Sequence, residues 1–308
     1  MLNAHQGKKP MKLYIRKKLM NTAQRLEKTA TLFRGAADRI APEKRITLLD
    51  LERDSWRSVR PCFVLSTGRS GTLLLNKLLE LSPDAYPVHE PVPELIRPSK
   101  RAYEEIDRHS EIFLEVLKGA REELLFRAAR NDKIYIETNN RITFFAPVIP
   151  GAFPNAVYIH LVRHPGDFVR SGLRRNWYTE SHPHDVGRIV PVRKDLLKKW
   201  AGFTQLEKIA WLWNETHHFI EAFKKTVDPS SVLFVKAEDL FRDTMTTRRI
   251  YKFVHISGYY EPTVKKILRR RFNAQRKGRA APYREWDEKE KTALKNMALL
   301  AEKYDYSI

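Results

Sequence analysis

The chain has 308 residues, with 57 Lys and Arg against 37 Asp and Glu, a formal charge of +20, 42% hydrophobic residues and 11% aromatic ones. That much apolar material excludes a disordered chain and supports one large core, in one or two domains. A single cysteine, Cys62, excludes a disulfide framework and any site built on several thiolates.

The charge is unevenly spread. Residues 1–60 hold 15 basic and 6 acidic side chains, and residues 263–284 hold 9 basic and none acidic, so the remaining 226 residues are nearly neutral. Such basic patches attract phosphate, sulfate, nucleic acid or an anionic membrane alike. No zinc-finger spacing, RNP-like aromatic strand or Gly-rich tract accompanies them, so a nucleic-acid partner is not expected. The first thirty residues lack an apolar stretch of signal-peptide type, and no segment reaches the roughly 18 apolar residues of a membrane span. A cytoplasmic location is expected, peripheral where residues 1–45 meet an anionic membrane.

In chain order, Leu19, Ala23, Leu26, Ala30, Phe33, Ala37 and Ile40 recur at spacings of three and four, one face of a basic helix that Pro42 ends. This face has two readings, packing on its own domain or contact with a membrane or a second copy. A polar connector follows, so residues 1–60 form an arm and 61–308 the main domain. Residues 62–67 read as a strand and 72–81 as a buried helix. Further strands are predicted at 133–138, 156–162 and 231–236, and helices at 103–129, 165–174, 205–226 and 287–303. Strands alternating with helices predict an α/β domain of three layers, a parallel sheet flanked by helices.

The first strand runs into Gly68-Arg69-Ser70-Gly71-Thr72 and then a helix. Backbone N–H groups at a helix N-terminus bind anions, glycines admit close approach, and Arg69, Ser70 and Thr72 add charge and hydroxyl donors. The Walker pattern needs a longer glycine spacing and a Lys, so an ATPase or GTPase is disfavoured. The strand 156–162 ends at Arg163-His164-Pro165. Pro165 suits a first helical position, which puts Arg163 at the strand's carboxyl edge and Ser171 two turns into the helix.

Together these segments closely resemble the sulfotransferases that use 3′-phosphoadenosine 5′-phosphosulfate (PAPS). Residues 66–72 resemble their 5′-phosphosulfate loop, and Arg163-His164-Pro165 with Ser171 their 3′-phosphate motif. Val232 to Leu240 is similar to the family's late strand ending in Glu-Asp-Leu, and Arg276-Lys277-Gly278 to its basic loop over the nucleotide. The resemblance spans about residues 61–290 and implies a P-loop-like sulfotransferase fold, with PAPS as donor and a hydroxyl compound as acceptor.

Sulfuryl transfer requires alignment, charge balance on the leaving phosphate and removal of one hydroxyl proton, with no obligatory metal. The resemblance gives Arg69 and the amides of 69–72 the leaving phosphate. It draws the base from the proline-stiffened segment 87–94, where carbohydrate and tyrosyl-protein members carry a Glu and small-phenol enzymes a His. Glu90 matches the first pattern and His89 is the rival, while Glu94 is expected to be a solvated or structural carboxylate. The acceptor expected is a glycan or glycolipid, with a tyrosyl peptide or small alcohol as alternative. A non-catalytic nucleotide- or polyanion-binding module is the alternative from another class. Residues 137–140 are a further candidate acceptor contact, and His182, His184 and Asp185 read as an acceptor loop rather than a zinc site.

Overall fold

The computed structural model describes residues 18–26, 28–29, 32–33, 59–180, 184–270 and 280–308. The chain divides into two units, Met1–Ile46 and Thr47–Ile308. In the first, the described residues are helical, as the spacing from Leu19 predicts. Ala30, Ala37 and Ile40 of that face lie outside them.

The second unit is a five-stranded sheet in which every neighbouring pair is parallel, in the order β2-β3-β1-β4-β5. The strands are β1 (Cys62–Leu65), β2 (Ala85–Val88), β3 (Ile134–Glu137), β4 (Val157–Val162) and β5 (Val232–Lys236). All of β1 and β4 is buried, which is why both read as unbroken apolar runs. The two-residue period divides each strand between the layers. Cys62, Val64, Val157, Ile159 and Leu161 join a core with Leu74, Leu75 and Leu78. Phe63, Leu65, Tyr158 and Val162 join the other, with Phe145, Phe153 and Trp213.

The helices are α1 (Thr72–Leu79), α2 (Ile96–Glu105), α3 (Ser110–Arg130), α4 (Ile149–Ala152), α5 (Pro165–Leu173) and α6 (Lys194–Trp200). They continue as α7 (Gln205–Lys224), α8 (Ala237–Arg242), α9 (Thr244–Val254), α10 (Glu261–Leu268) and α11 (Glu288–Met297). Pro165 is the first residue of α5, as predicted, and the His164 ring caps it by accepting from Gly166 N at 3.1 Å. A capping box of Thr204 and Glu207 starts α7.

Three expectations change. The helix expected over 103–129 is two helices, because residues 107–112 are all exposed and no buried side chain holds that turn. The helix expected over 287–303 stops at Met297, with a 3-10 turn at Glu302–Tyr304. The start of the proline bracket is itself a strand, β2, at the sheet edge, where a proline such as Pro87 is tolerated.

Candidate active site

β1 and β4 lie side by side, Leu65 paired with His160, and the chain leaves β1 toward one edge of the sheet and β4 toward the other. Crevices at such reversals, outside the strands' carboxyl ends, receive ligands. The loop after β1 turns through left-handed backbone at Gly68 (φ 74°), Arg69 (φ 54°) and Gly71 (φ 95°). A Cβ at Gly71 would sit 2.6 Å from the Phe241 ring, so only glycine fits. Thr143 fastens the base of the loop: its hydroxyl accepts from Ser66 N and donates to Ser66 O, both at 3.0 Å. Gly71 caps α1 without a side-chain hydrogen bond, which leaves the first-turn amides for an anion. Ser70 is fully buried, and its Oγ has no hydrogen-bond partner among the described residues.

Arg163 reaches across from β4 and donates from Nη1 to Arg69 O at 2.8 Å. Its Nε is buried without a hydrogen-bond partner among the described residues. Its backbone is held on both sides: Trp213 Nε1 donates to Arg163 O at 2.8 Å, and His164 N donates to Glu238 Oε1 at 3.0 Å. Tyr306 Oη donates to the other oxygen of Glu238 at 2.7 Å. Ser171 Oγ accepts from Arg69 Nε at 3.4 Å and from Arg175 Nη1 at 2.9 Å. Sequence reasoning missed Arg175, although it lies one helical turn beyond Ser171.

On the other side of the cleft, His89 and Glu90 follow β2, and Glu90 adopts φ 45°. His89 Nδ1 lies 2.8 Å from Thr138 O. A carbonyl only accepts, so Nδ1 carries the proton and Nε2 is the basic nitrogen. Arg141 Nη1 lies 3.1 Å from Glu94 and 3.9 Å from Glu90, and its Nη2 is 3.0 Å from His184 Nδ1. No sequence signal pointed to Arg141.

The expectation that Glu137 contacts the acceptor is overturned, and Thr138 and Asn139 are likewise fully buried. Glu137 is bound by Arg121 through Nε at 2.8 Å and Nη2 at 2.9 Å, by Tyr135 Oη at 2.8 Å and by Asn139 Nδ2 at 2.9 Å. Of that segment only Asn140 lines the cleft. Arg276, Lys277, Gly278 and His182 lie outside the described residues.

Gly68, Arg69, Gly71, Thr72, His89, Glu90, Arg163 and Ser171 thus border one cleft of about 770 Å³, lined among the described residues by eight arginines against the carboxylates of Glu90 and Asp167. Burial, then the charges of Arg175 and Arg163, lower the Arg69 guanidinium to about 10. Burial and three neighbouring arginines lower Arg175 as well. Like charges held together at uncapped amides make a receptor for a multiply charged anion.

A sequence model of the sulfotransferase family matches residues 61–261. The chain belongs to this family. No curated protein matches this sulfotransferase in sequence. Solved structures similar to it include the sulfotransferase domain of the Synechococcus olefin synthase, at 17% identity and a TM-score of 0.48, covering 81% of this chain and 97% of that one. A Mycobacterium avium sulfotransferase is 13% identical, with a TM-score of 0.49 and coverage of 84% and 81%. A mouse sulfotransferase complexed with PAP is 17% identical, with a TM-score of 0.44 and coverage of 82% and 89%.

Proposed function

We propose that this sulfotransferase moves the sulfuryl group of PAPS to a hydroxyl of a carbohydrate or glycolipid, with Glu90 as the base. The observation that carries this reading is the convergence of Arg69, Arg163 and Ser171 where β1 and β4 end. Ser70 Oγ and Arg163 Nε, buried without hydrogen-bond partners among the described residues, fit a ligand rich in acceptor oxygens. Arg163 and Ser171, steadied by Arg175, hold the 3′-phosphate, and Arg276, Lys277 and Gly278 close over the nucleotide. Gly68, Ser70, Gly71 and Thr72 hold the 5′-phosphosulfate.

In the reaction the S–O bond to the 5′-phosphate breaks as one to the acceptor oxygen forms. The hydroxyl proton passes to the Glu90 carboxylate. Arg69 and the amides of 69–72 stabilise the charge left on the phosphate, giving PAP, 3′-phosphoadenosine 5′-phosphate. Residues 61–308 form the catalytic domain, and residues 1–60 an arm whose first 45 residues rest on an anionic membrane in the cytoplasm. Among the described residues no helix is long and apolar enough to cross a membrane. Co-sedimentation with anionic liposomes that persists after deleting residues 1–45 would remove that role.

One observation favours a second reading of the base. The hydrogen bond to Thr138 O places a proton on His89 Nδ1, so in the neutral ring Nε2 is the nitrogen able to take the hydroxyl proton. Glu90→Gln is expected to abolish transfer from radiolabelled PAPS to oligosaccharide and glycolipid panels while PAP still binds; if His89→Ala alone loses transfer, His89 is the base. The donor site is tested by thermal shift. PAP should raise the melting temperature saturably, an effect lost in Arg163→Ala, whereas ATP with magnesium should not. Stabilisation by ATP instead would replace the reading with a nucleotidase or kinase. PAP binding with no transfer to any acceptor would leave a nucleotide-binding module.

A further inference from the structure

Arg141 stands where three segments of the acceptor side meet. Only 11% of its side chain is exposed. Its backbone is fixed on both sides: Asn139 Oδ1 accepts from its N–H at 3.1 Å, and Ser99 Oγ donates to its carbonyl at 2.8 Å. From that anchored position one guanidinium reaches Glu94 at 3.1 Å, Glu90 at 3.9 Å and His184 at 3.0 Å. Glu90 and Glu94 belong to the bracket after β2, and His184 opens the loop that runs to Ile189 along the cleft wall. A guanidinium only donates, so His184 Nδ1 accepts and the ring proton sits on Nε2.

Glu90 needs support of this kind. Its side chain is 40% exposed and its backbone lies in the left-handed region, so a carboxylate left to itself would sample many rotamers and spend little time facing the acceptor. The two distances divide the work. Glu94 takes the closer ion pair and keeps Arg141 from closing on Glu90. Glu90, at 3.9 Å, is held by charge without a short hydrogen bond that must break before it takes a proton.

We propose that Arg141 is the positioning residue of the acceptor side: its guanidinium keeps Glu90 facing the cleft and fastens the 184–189 loop to the bracket, fixing the separation of base and acceptor wall. The proposal rests on the reading of Glu90 as base. It assigns Glu94 the role of spacer, and it leaves the donor site to other residues.

Two measurements on the full chain test it. The first is hydrogen exchange. In Arg141→Ala, amides of 88–94 and 184–189 should exchange faster together, while those of β1 and α1 stay as in the wild type. Unchanged exchange in both segments overturns the clamp whatever the enzyme's chemistry. The second uses water as acceptor, so no sugar need be identified. Labelled PAPS is hydrolysed as the S–O bond to the 5′-phosphate breaks, a new one to the water oxygen forms, and a water proton passes to Glu90.

Arg141→Ala should lower this rate on the order of 100-fold, as a misplacement of about 1 Å does, with PAP affinity unchanged. Arg141→Lys should recover part of the rate, and guanidinium chloride at millimolar concentration should recover part of it in Arg141→Ala. A residue with a purely structural role would show no rescue by the free cation. Faster exchange with undiminished hydrolysis overturns the link to the base. A wild type that neither binds PAP nor hydrolyses PAPS instead overturns the sulfotransfer reading, and hydrogen exchange still decides the clamp.

Discussion

Two arginines carry opposite lessons. Arg121, on α3, is fully buried and satisfied from within the protein: Glu137 accepts from its Nε and Nη2, and Pro93 O and Ala120 O accept from its Nη1 at 3.1 and 2.9 Å. Burial works against its charge, but Glu137 outweighs burial and the guanidinium ends above its ordinary value. Arg69, in the phosphate loop, moves the other way, to about 10, because burial is joined by Arg175 and Arg163 rather than by a dominant carboxylate. In the interior the counter-charge is built in. In the cleft arginines crowd one another, with Glu90 the lesser counterweight, so under the proposed function one residue type holds the fold in one place and meets the ligand's anion in the other.

The comparison breaks most readily in the interior. Glu137→Gln leaves Arg121 charged, buried and without its anion, and should destabilise the protein by about 3–5 kcal/mol, read from urea unfolding. A loss below about 1 kcal/mol would mean that water or a shifted side chain replaces the carboxylate. Arg69→Ala should do the reverse. Stability without ligand should hold or rise, while affinity for PAP, measured by calorimetry, falls roughly 10- to 100-fold, the worth of a charged hydrogen bond. A variant that unfolds more easily yet binds PAP normally would make Arg69 structural and end the contrast.

A third group sharpens it. His160 and His217 are fully buried, 3.0 Å apart through Nε2 and Nδ1. Both are held well below 6.5, first by burial, then by Lys224 and Lys303 for His160 and by His160 for His217. Below pH 6.5 the unfolded chain binds protons that the folded one refuses. Stability is therefore whole above that value and falls as the pH drops through it, by up to about 1.4 kcal/mol per unit for each ring. Urea midpoints at pH 7.5, 6.5 and 5.5 check this, and a flat series would show that the pair protonates in place. The smallest effect expected is that of Tyr306→Phe, which removes one hydrogen bond to Glu238 and should weaken PAP binding by about 1 kcal/mol or less with little change in melting temperature.

The central strands and the placement of the two loop motifs were legible because their causes are local. A strand buried on both faces is a run of apolar residues, and Gly71, Pro165 and Ser171 are set by turn geometry, helix start and helical spacing. Partnerships between distant elements were not legible. Nothing near Glu137 announces that Arg121, from a different element, will neutralise it, and nothing near Arg141 announces that it will meet Glu90, Glu94 and His184. The edge strand β2 was hidden by its proline, and the break between α2 and α3 by apolar residues that keep their period across it.

That proline reaches beyond the site. Ile134 N donates to Asp84 O at 2.8 Å and Thr138 N to Val88 O at 2.9 Å, so even-numbered residues of β2 face β3 and Pro87 points its ring nitrogen away from the sheet. Where an outer edge ordinarily offers a row of amide donors, this one has a gap in the middle of four residues. A stray strand would find no partner there. The edge that leads to the 87–94 bracket is thereby guarded against cross-strand aggregation, and Pro87→Ala would open it.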